Sequence, residues 1–213
     1  MTSPLDLFRL DGRVAIVTGA SSGFGARFAR VLSDAGAAVA LAARRLDRLE
    51  KLAAELPDAT AFRADVAREA DIDALVEAVE ARYGRIDLLV NNAGISDVVA
   101  AEDEPLEQFR RTMEVNLTGA FYVAQQVGRR MLAQGSGVIV NVASMLGTVG
   151  VGQIPQPGYA ASKGGLINLS RELAAEWGRR GVRVNALCPG YFPTEMTEEM
   201  FADEGSLRWL RRK

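Results

Sequence analysis

Short runs rich in valine, isoleucine, leucine and alanine alternate with longer stretches of helical periodicity along this chain of 213 residues. The runs predict β-strands at residues 14–18, 38–42, 60–63, 86–91, 137–142 and 182–187. The stretches between them predict helices at residues 24–35, 46–56, 69–83, 106–133 and 158–180. Such alternation is typical of repeated βαβ units, in which parallel strands are joined by right-handed crossovers that place helices on both faces. The sequence therefore predicts a single α/β domain over residues 1–213, a Rossmann-type doubly wound parallel sheet.

The composition is compatible with this fold and argues against several kinds of partner. Hydrophobic residues make up 48% of the chain and there are 21 glycines, which predicts an aliphatic core and many tight turns. A net charge of −2 gives no electrostatic basis for binding nucleic acid. No apolar run is long enough to cross a bilayer, and acidic residues interrupt the N-terminal stretch that a signal peptide needs. We expect a cytoplasmic protein with no nucleic-acid or membrane partner.

The chain contains one cysteine and no histidine. Cys188 cannot form an internal disulfide, and its apolar neighbours predict a buried thiol. No nucleophilic role is expected for this thiol, because there is no histidine to activate it. No metal site is predicted. Acid–base chemistry in this chain must also use a residue other than histidine.

Tyr159 and Lys163 lie four positions apart in the predicted helix at 158–180, and Ser144 follows the predicted strand at 137–142. Side chains four apart share one face of a helix, so the ammonium group can lie beside the phenol. A positive neighbour stabilises the phenolate and is expected to lower the tyrosine pKa from its usual value of about 10. The pair could then carry a proton at neutral pH. The spacing alone is equally compatible with a packed tyrosine ring whose hydroxyl is satisfied.

The first predicted strand leads directly into the glycine-rich turn Thr-Gly-Ala-Ser-Ser-Gly-Phe-Gly, residues 18–25. Glycines allow a sharp turn and let backbone N–H groups approach an anion at the N-terminus of the following helix, where the helix dipole is favourable. The turn therefore predicts a site for the pyrophosphate of a dinucleotide. A tight connection between strand and helix remains the alternative.

The end of the second predicted strand carries Arg44 and Arg45, where NAD-binding folds place an acidic residue for the ribose 2′-hydroxyl. An arginine there can accommodate the 2′-phosphate of NADP. Arg44 therefore favours NADP(H) over NAD(H), with Arg45 as a second candidate. Asp47 is the nearest acid and keeps NAD open, and both arginines could simply end the strand in solvent.

Several motifs occur in a fixed order along the chain. They are Thr-Gly-x-x-x-Gly-x-Gly at 18–25, Asn-Asn-Ala-Gly at 91–94, Asn116, Ser144, Tyr-x-x-x-Lys at 159–163 and Pro-Gly at 189–190. With this set the chain resembles the short-chain dehydrogenase/reductase family from Leu10 to about Thr197. Within the family it looks most similar to bacterial 3-oxoacyl reductases and polyol dehydrogenases.

The resemblance implies catalytic roles for four residues. Tyr159 corresponds to the general acid/base that exchanges a proton with the substrate oxygen, and Ser144 to the residue that polarises this oxygen. Lys163 corresponds to the residue that lowers the tyrosine pKa and binds the nicotinamide ribose. Asn116, placed within a long helix, corresponds to the residue that holds a water in a proton relay to Lys163. Taken singly, Ser144 could be a helix cap and Asn116 a helix kink.

The resemblance also implies a set of cofactor-binding residues. They are Gly19, Ser21, Ser22, Gly23, Phe24 and Gly25 in the turn, Arg44, the adenine-binding pair Asp65 and Val66, then Asn92, Ala93, Gly94, Tyr159, Lys163, Pro189, Gly190, Phe192 and Thr194. Asp65 alone could be a strand-end turn residue, and Asn91 a turn cap. Because every motif follows a predicted strand, all of them should meet in the crevice at the carboxyl end of the sheet.

Two segments bear on the substrate. Residues 151–158, which precede Tyr159, are expected to wall the substrate pocket. The amphipathic stretch at 191–200, here called the flap, is expected to be mobile over the site. Family members usually continue into a further helix and a seventh strand, so we expect the fold to lack these. Either the C-terminal part is incomplete, or the protein is naturally shortened, in which case one sheet edge is expected to be bare.

The function implied by the resemblance is reversible, NADP(H)-dependent hydride transfer to or from a ketone or secondary alcohol of small size. The expected assembly is a homotetramer or homodimer. The alternative is a nucleotide-binding or scaffold protein that has this fold but no turnover.

Overall fold

The computed structural model of the protein describes residues 4–210, and its centre is a six-stranded sheet. The strands are β1 (Val14–Thr18), β2 (Ala38–Ala43), β3 (Ala59–Arg63), β4 (Leu88–Asn91), β5 (Gly137–Val142) and β6 (Val182–Leu187). Their order is β3-β2-β1-β4-β5-β6, and all neighbours pair in parallel. The predicted Rossmann-type doubly wound sheet is therefore confirmed.

Helices connect the strands and cover both faces of the sheet. They are α1 (Gly23–Asp34), α2 (Leu46–Glu55), α3 (Glu69–Tyr83), α4 (Leu106–Met113), α5 (Ala120–Gln134), α6 (Pro157–Trp177), α7 (Glu198–Ala202) and α8 (Glu204–Leu210). Short 3-10 turns lie at Pro4–Phe8, Met145–Gly147, Gly178–Arg180 and Glu195–Thr197. Among residues 4–210, no helix has the length and apolarity needed to cross a membrane.

Alternate residues of β1 enter two separate cores, one on each face of the sheet. Ile16 packs in the core beneath α3, α5 and α6, whereas Val17 packs in the core beneath α1 and α2. Both side chains are fully buried, as expected for a central parallel strand covered on both sides. Successive side chains of β1 therefore pack against different layers of helices.

Two predicted elements differ from the structure. β4 begins at Leu88 rather than residue 86, because the backbone of Ile86 exchanges two hydrogen bonds with the Gln134 side chain, of 3.1 and 2.8 Å, instead of joining a neighbouring strand. The helix predicted at 106–133 is interrupted by a π-helical turn, Glu114–Gly119. At Gly119 the helix passes so close to the Val66 carbonyl oxygen that a Cβ there would lie 2.3 Å from it.

The prediction that Cys188 is buried is wrong, because its side chain is exposed. Cys188 follows β6, which is an edge strand of the sheet. Along β6, Arg183, Asn185 and Leu187 are exposed while Val182 and Val184 are buried. The apolar sequence around the cysteine therefore reflects one buried face of a strand and not burial of the whole segment.

Asp87 joins two strands at the end of the sheet opposite to the predicted site. It is only 8% exposed and accepts a hydrogen bond of 3.0 Å from the Val14 backbone N–H at the start of β1. Arg13 and Arg85 donate to the same carboxylate at distances of 2.6 to 2.9 Å. Burial raises the pKa of Asp87, but hydrogen bonds from Arg85, Val14 and Arg13 outweigh it, so the pKa lies below its usual value.

We predict that Asp87→Asn lowers the free energy of unfolding by about 2 kcal/mol, since a charged hydrogen-bond acceptor is lost beside two guanidinium groups. Because the folded pKa of Asp87 is depressed, its stabilisation is complete above the unfolded pKa and is lost as pH falls through the folded pKa. The difference in the free energy of unfolding between wild type and variant should therefore disappear at acid pH. Urea denaturation at several pH values measures both effects.

Asp11→Asn is the matched control, because Asp11 pairs with Arg9 at an exposed position. This substitution should leave the free energy of unfolding nearly unchanged. An effect of Asp87→Asn no larger than that of the control would contradict the structural role given to Asp87.

Candidate active site

A cleft of about 720 Å³ opens beyond the carboxyl ends of the strands, where the sheet order changes direction between β1 and β4. Most of the predicted site residues line it. They are Gly19, Ser21, Ser22, Gly23, Phe24, Arg44, Asp65, Val66, Asn92, Ala93, Gly94, Ser144, Tyr159, Lys163, Pro189, Gly190, Phe192 and Thr194. Gly25 and Asn116 do not line the cleft and act from behind its wall.

The glycine-rich turn packs against the end of β4 so closely that side chains are excluded. Gly19 has a φ of +66°, and a Cβ on it would lie 2.9 Å from the Ala93 Cα. A Cβ on Gly25 would lie 2.2 Å from the Gly19 carbonyl oxygen. Helix α1 begins at Gly23, so its N-terminus faces the cleft. This cradle has the backbone access and dipole that a dinucleotide pyrophosphate requires.

Thr18 fixes the end of β4 against this turn. Its buried hydroxyl accepts hydrogen bonds from the backbone N–H groups of Asn92 and Ala93, at 2.9 and 3.0 Å. The Asn92 side chain donates in return to the Thr18 carbonyl at 3.0 Å. These hydrogen bonds from and to Thr18 hold Asn92 and Ala93 at the wall of the cleft. The motifs predicted no such role for Thr18.

Asn116 lies in the π-helical turn, fully buried, and not in a regular helix as predicted. Its amide oxygen accepts from the Ile95 N–H at 2.8 Å, and its nitrogen donates to the Ile95 carbonyl at 2.9 Å and to Ser162 Oγ at 3.1 Å. These bonds tie the loop after β4 to α6. Asn116 therefore lies where the regular helix is interrupted, and it also holds the neighbouring loop.

Lys163 lies on α6 with only 3% of its surface exposed. Its Nζ donates to the Val142 carbonyl at the end of β5, at 2.7 Å, and lies 5.6 Å from the centre of the Tyr159 ring. Burial lowers the pKa of Lys163 to about 8, with a small opposing effect from Cys188. Spacing predicted this juxtaposition of ammonium and phenol, and the structure contains it.

The expected fall in the Tyr159 pKa is not found. Burial raises the pKa of Tyr159, and the nearby Ser144 hydroxyl only partly offsets this effect. The ammonium group of Lys163 donates its hydrogen bond to the Val142 carbonyl and lies over the Tyr159 ring. The four-residue spacing correctly gave proximity, but desolvation decides the direction of the shift.

Ser144 combines the two roles considered from sequence. It caps the 3-10 turn Met145–Gly147 by accepting from the Leu146 N–H at 3.2 Å, and its hydroxyl lies beside Tyr159. The turn is held to the end of β6 by a bond of 3.1 Å from Met145 N–H to the Pro189 carbonyl. The cap therefore orients the same hydroxyl that faces the cleft.

Asp65 and Val66 follow β3 and form part of the wall of the cleft. Asp65 also shapes a turn, because its Oδ1 accepts from the Ala67 N–H at 3.1 Å while its own N–H donates to Asp71 at 3.0 Å. Both interpretations of Asp65 from sequence, turn residue and cleft residue, are thus compatible with its geometry.

The two arginines after β2 have different surroundings. Arg44 is exposed in the cleft, and within residues 4–210 no side-chain partner is found for it. Arg45 donates to the hydroxyls of Ser21 and Ser22 and forms a two-pronged ion pair with Glu195 of the flap. Glu195 is not among the predicted site residues, because nothing in its local sequence points to a partner 150 positions away.

Several residues not named from sequence complete the part of the cleft next to Tyr159. Ser96 donates to the Gln156 side chain at 2.7 Å, and both line the cleft, as does Gln153. The segment at 151–158 therefore forms part of the wall, as predicted. Methionines at 145, 196 and 200 add flexible apolar surface.

The arrangement as a whole is that of a nucleotide-dependent oxidoreductase: a glycine-rich cradle shares one cleft with the partly buried Tyr159 and the buried Lys163 and Ser144. Comparison with known proteins gives the family. A profile of the family described as short chain dehydrogenase matches residues 13–205. The chain belongs to this family and is an oxidoreductase, which confirms the resemblance inferred from the motifs.

Relatives with assigned activities are similar over most of the chain. D-threitol dehydrogenase of Mycolicibacterium smegmatis is 46% identical over 89% of this chain and 74% of its own length. Gluconate 5-dehydrogenase of Gluconobacter oxydans is 40% identical over 98% of this chain and 82% of its own. The crystal structure of a gluconate 5-dehydrogenase from Burkholderia cenocepacia with NADP and tartrate superposes with a TM-score of 0.91 at 38% identity, covering 98% and 82% of the two chains.

We predict that the stability contributed by Lys163 depends on pH. Its folded pKa of about 8 lies below the value near 10.5 of an exposed lysine, so between these two values the unfolded chain binds more protons. The free energy of unfolding should therefore rise with pH in this window in the wild type, and less so in Lys163→Met. Urea denaturation from about pH 8 to about pH 10 measures this difference.

Lys51→Met is the control for loss of a lysine, because Lys51 is exposed on α2. Equal pH slopes for wild type and Lys163→Met would show that the buried ammonium group is not desolvated as described.

Proposed function

We propose that the protein catalyses reversible, NADP(H)-dependent interconversion of a secondary alcohol and a ketone in a polyhydroxylated small molecule. The observation that carries the proposal is the position of Tyr159, Ser144 and Lys163 in the same cleft as the glycine-rich turn. The residues that would hold the cofactor are those of the turn, Arg44, the ends of β3 and β4, and the loop after β6. When bound, the nicotinamide of the cofactor supplies or accepts the hydride.

Tyr159 is the proton carrier in this proposal. In the direction of reduction its phenol donates a proton to the substrate oxygen, and in oxidation the phenolate accepts one. A raised pKa, as burial produces here, keeps the phenol protonated and suits it to act as an acid in reduction. Ser144 donates a hydrogen bond to the same oxygen and stabilises the charge that develops on it.

Lys163 and Asn116 support this proton transfer. Lys163 Nζ lies between the Val142 carbonyl and the Tyr159 ring, and a Cβ on Gly94 would be 3.5 Å from it and 3.3 Å from Asn116 Oδ1. The ammonium group and the amide oxygen therefore both adjoin Gly94. With a pKa of about 8, Lys163 can lose or gain a proton near neutral pH, which fits a relay behind Tyr159.

The proposed substrate class rests on the polar wall near Tyr159. The amides of Gln153 and Gln156 and the hydroxyl of Ser96 offer donors and acceptors of the kind that recognise several hydroxyl groups. Relatives named D-threitol dehydrogenase and gluconate 5-dehydrogenase support a polyol or sugar acid. A homotetramer or homodimer, implied by the family resemblance, stays a prediction.

The alternative of a nucleotide-binding protein without turnover is less well supported. A silent relative has no need to keep a hydroxyl, a phenol and a buried ammonium group together, because a buried charge is costly to maintain. Here Lys163 remains buried, and within residues 4–210 the Val142 carbonyl is the hydrogen-bond partner found for it. Binding of NADPH without oxidation on any ketone of a broad panel would favour the alternative.

We predict that Tyr159→Phe lowers kcat at least about a hundredfold, since a general acid/base is removed while the ring stays in place. Affinity for the nucleotide should remain nearly unchanged. The measurement is nicotinamide absorbance with the best substrate of a panel of polyols, sugar acids and simple secondary alcohols, combined with calorimetric titration of NADP.

Tyr83→Phe is the matched control, because its phenol bonds to Thr60 at 2.9 Å and does not line the cleft. Near-normal turnover in Tyr159→Phe would refute the acid–base assignment. A clear preference for simple apolar alcohols would refute the proposed substrate class but not the mechanism.

We further predict that Arg44→Ala raises the Kd for NADP about tenfold and leaves the Kd for NAD unchanged, the size expected for one charged hydrogen bond to the 2′-phosphate. Calorimetric titration with both nucleotides measures the change. Arg27→Ala, at an exposed position on α1, removes the same charge and should have no effect. Equal weakening of NADP and NAD by Arg44→Ala would argue against a selective contact.

A further inference from the structure

Glu195 of the flap enters the part of the cleft that lies between the glycine-rich turn and the end of β2. Its two carboxylate oxygens accept from Arg45 Nη1 and Nη2, both at 2.9 Å, and from Arg48 Nη1 at 3.1 and 3.3 Å. Arg45 holds the pKa of Glu195 down at about 2, with a smaller contribution from the Ser22 hydroxyl. Glu195 is therefore an anion held by two arginines.

Each nitrogen of the Arg45 guanidinium group donates a hydrogen bond in this arrangement. Its Nε and Nη2 donate to Ser21 Oγ, Nη2 also donates to Ser22 Oγ, and Nη1 and Nη2 donate to Glu195. Arg45 thus joins the phosphate turn to the flap. Apart from the second N–H of Nη1, an additional anion can reach the donors of Arg45 only if one of these partners is released.

The position of this cluster in the fold matches the end of the nucleotide that distinguishes NADP from NAD. In doubly wound sheets the residues just after the second strand meet the adenine ribose, and arginine there accommodates a 2′-phosphate. Arg44, Arg45 and Arg48 give three positive charges against the two negative charges of Glu195 and Asp47. A phosphate monoester, which carries close to two negative charges, would balance these arginines better than one carboxylate does.

We propose that Glu195 occupies the position of the cofactor 2′-phosphate and competes with it for Arg45 and Arg48, so that Glu195 determines the cofactor preference of this enzyme. The inference rests on the proposed use of NADP(H). A nucleotide with a 2′-phosphate must displace Glu195, whereas one with a free 2′-hydroxyl leaves the ion pairs intact. Glu195 therefore weakens binding of NADP without weakening binding of NAD.

Displacement of Glu195 is expected to loosen the flap, because Glu195 is one of three flap residues that contact the turn or the arginines beside it. Thr194 lies beside Gly23, where a Cβ would be 3.4 Å from the Thr194 Cβ, and Phe192 meets the Phe24 ring at 5.4 Å between centroids. Phe192 and Thr194 also line the cleft. Displacement of Glu195 from both Arg45 and Arg48 would remove its ion pairs from the flap and leave these two uncharged contacts.

The test compares adenosine 2′,5′-bisphosphate with adenosine 5′-monophosphate, two probes that differ only by the 2′-phosphate and contain no nicotinamide. Calorimetric titration gives the Kd of each for wild type, Glu195→Gln and Glu198→Gln. We expect Glu195→Gln to bind the bisphosphate about fivefold more tightly than the wild type does, because two half-exposed ion pairs no longer compete with the phosphate. The Kd of the monophosphate should be unchanged. Glu198→Gln removes the same charge from an exposed flap position and should change neither Kd.

The outcomes separate this inference from the proposed cofactor. If wild type prefers the bisphosphate and Glu195→Gln does not increase that preference, the competition is refuted while use of NADP stands. If wild type shows no preference and Glu195→Gln creates one, the competition is supported and the assignment of NADP to the wild type is wrong. Weaker binding of the bisphosphate by Glu195→Gln would mean that Glu195 positions Arg45 for the phosphate, and would overturn the proposal.

Hydrogen–deuterium exchange of the flap provides a readout that does not depend on affinity. The bisphosphate should speed backbone exchange in residues 191–200 of the wild type, because it displaces Glu195, whereas the monophosphate should not. In Glu195→Gln the exchange should already be fast without either probe. Protection of the flap by the bisphosphate in the wild type would contradict displacement.

Discussion

The close approach of the glycine-rich turn to the end of β4 is the constraint on which the site depends. Neither Gly19 nor Gly25 has room for a Cβ, so the chain passes directly from β1 to α1 beneath the Asn92–Ala93 backbone. Thr18 then holds the two strand ends at a fixed separation. This contact sets the floor of the cleft, and through the parallel register it aligns the ends of β5 and β6 with the same floor.

A second feature is the buried charge of Lys163 at the other side of the cleft. Lys163 is buried and bonded to the Val142 carbonyl, so α6 and β5 are joined by an ammonium group whose desolvation costs stability. The proposed reaction would give this group a role that an apolar residue, although less costly to bury, could not fill. The pKa of about 8 that burial produces places this lysine near the pH at which a proton relay can operate.

Much of the fold followed from the sequence, because alternating strand and helix patterns are local and strong. Contacts between distant segments did not, as Arg45 and Glu195 show, since they lie far apart in the chain and only the folded flap joins them. Local patterns also misjudged Cys188, whose apolar neighbours occupy one face of an edge strand, and the Tyr159 pKa, which burial raises. The motifs identified the residues of the cleft but not the forces that act on them.

The two ends of the sheet differ in role: contacts at one end join strands, and loops at the other end form the cleft. Asp87 ties the amino ends of β1 and β4, whereas the cleft is assembled from loops at the carboxyl ends. Substitutions in the segment at 151–158 or in the flap can therefore alter what the cleft accepts without loosening the Asp87 network. Such a division favours evolutionary divergence: new specificities can accumulate at one end of the molecule while the other end preserves foldability.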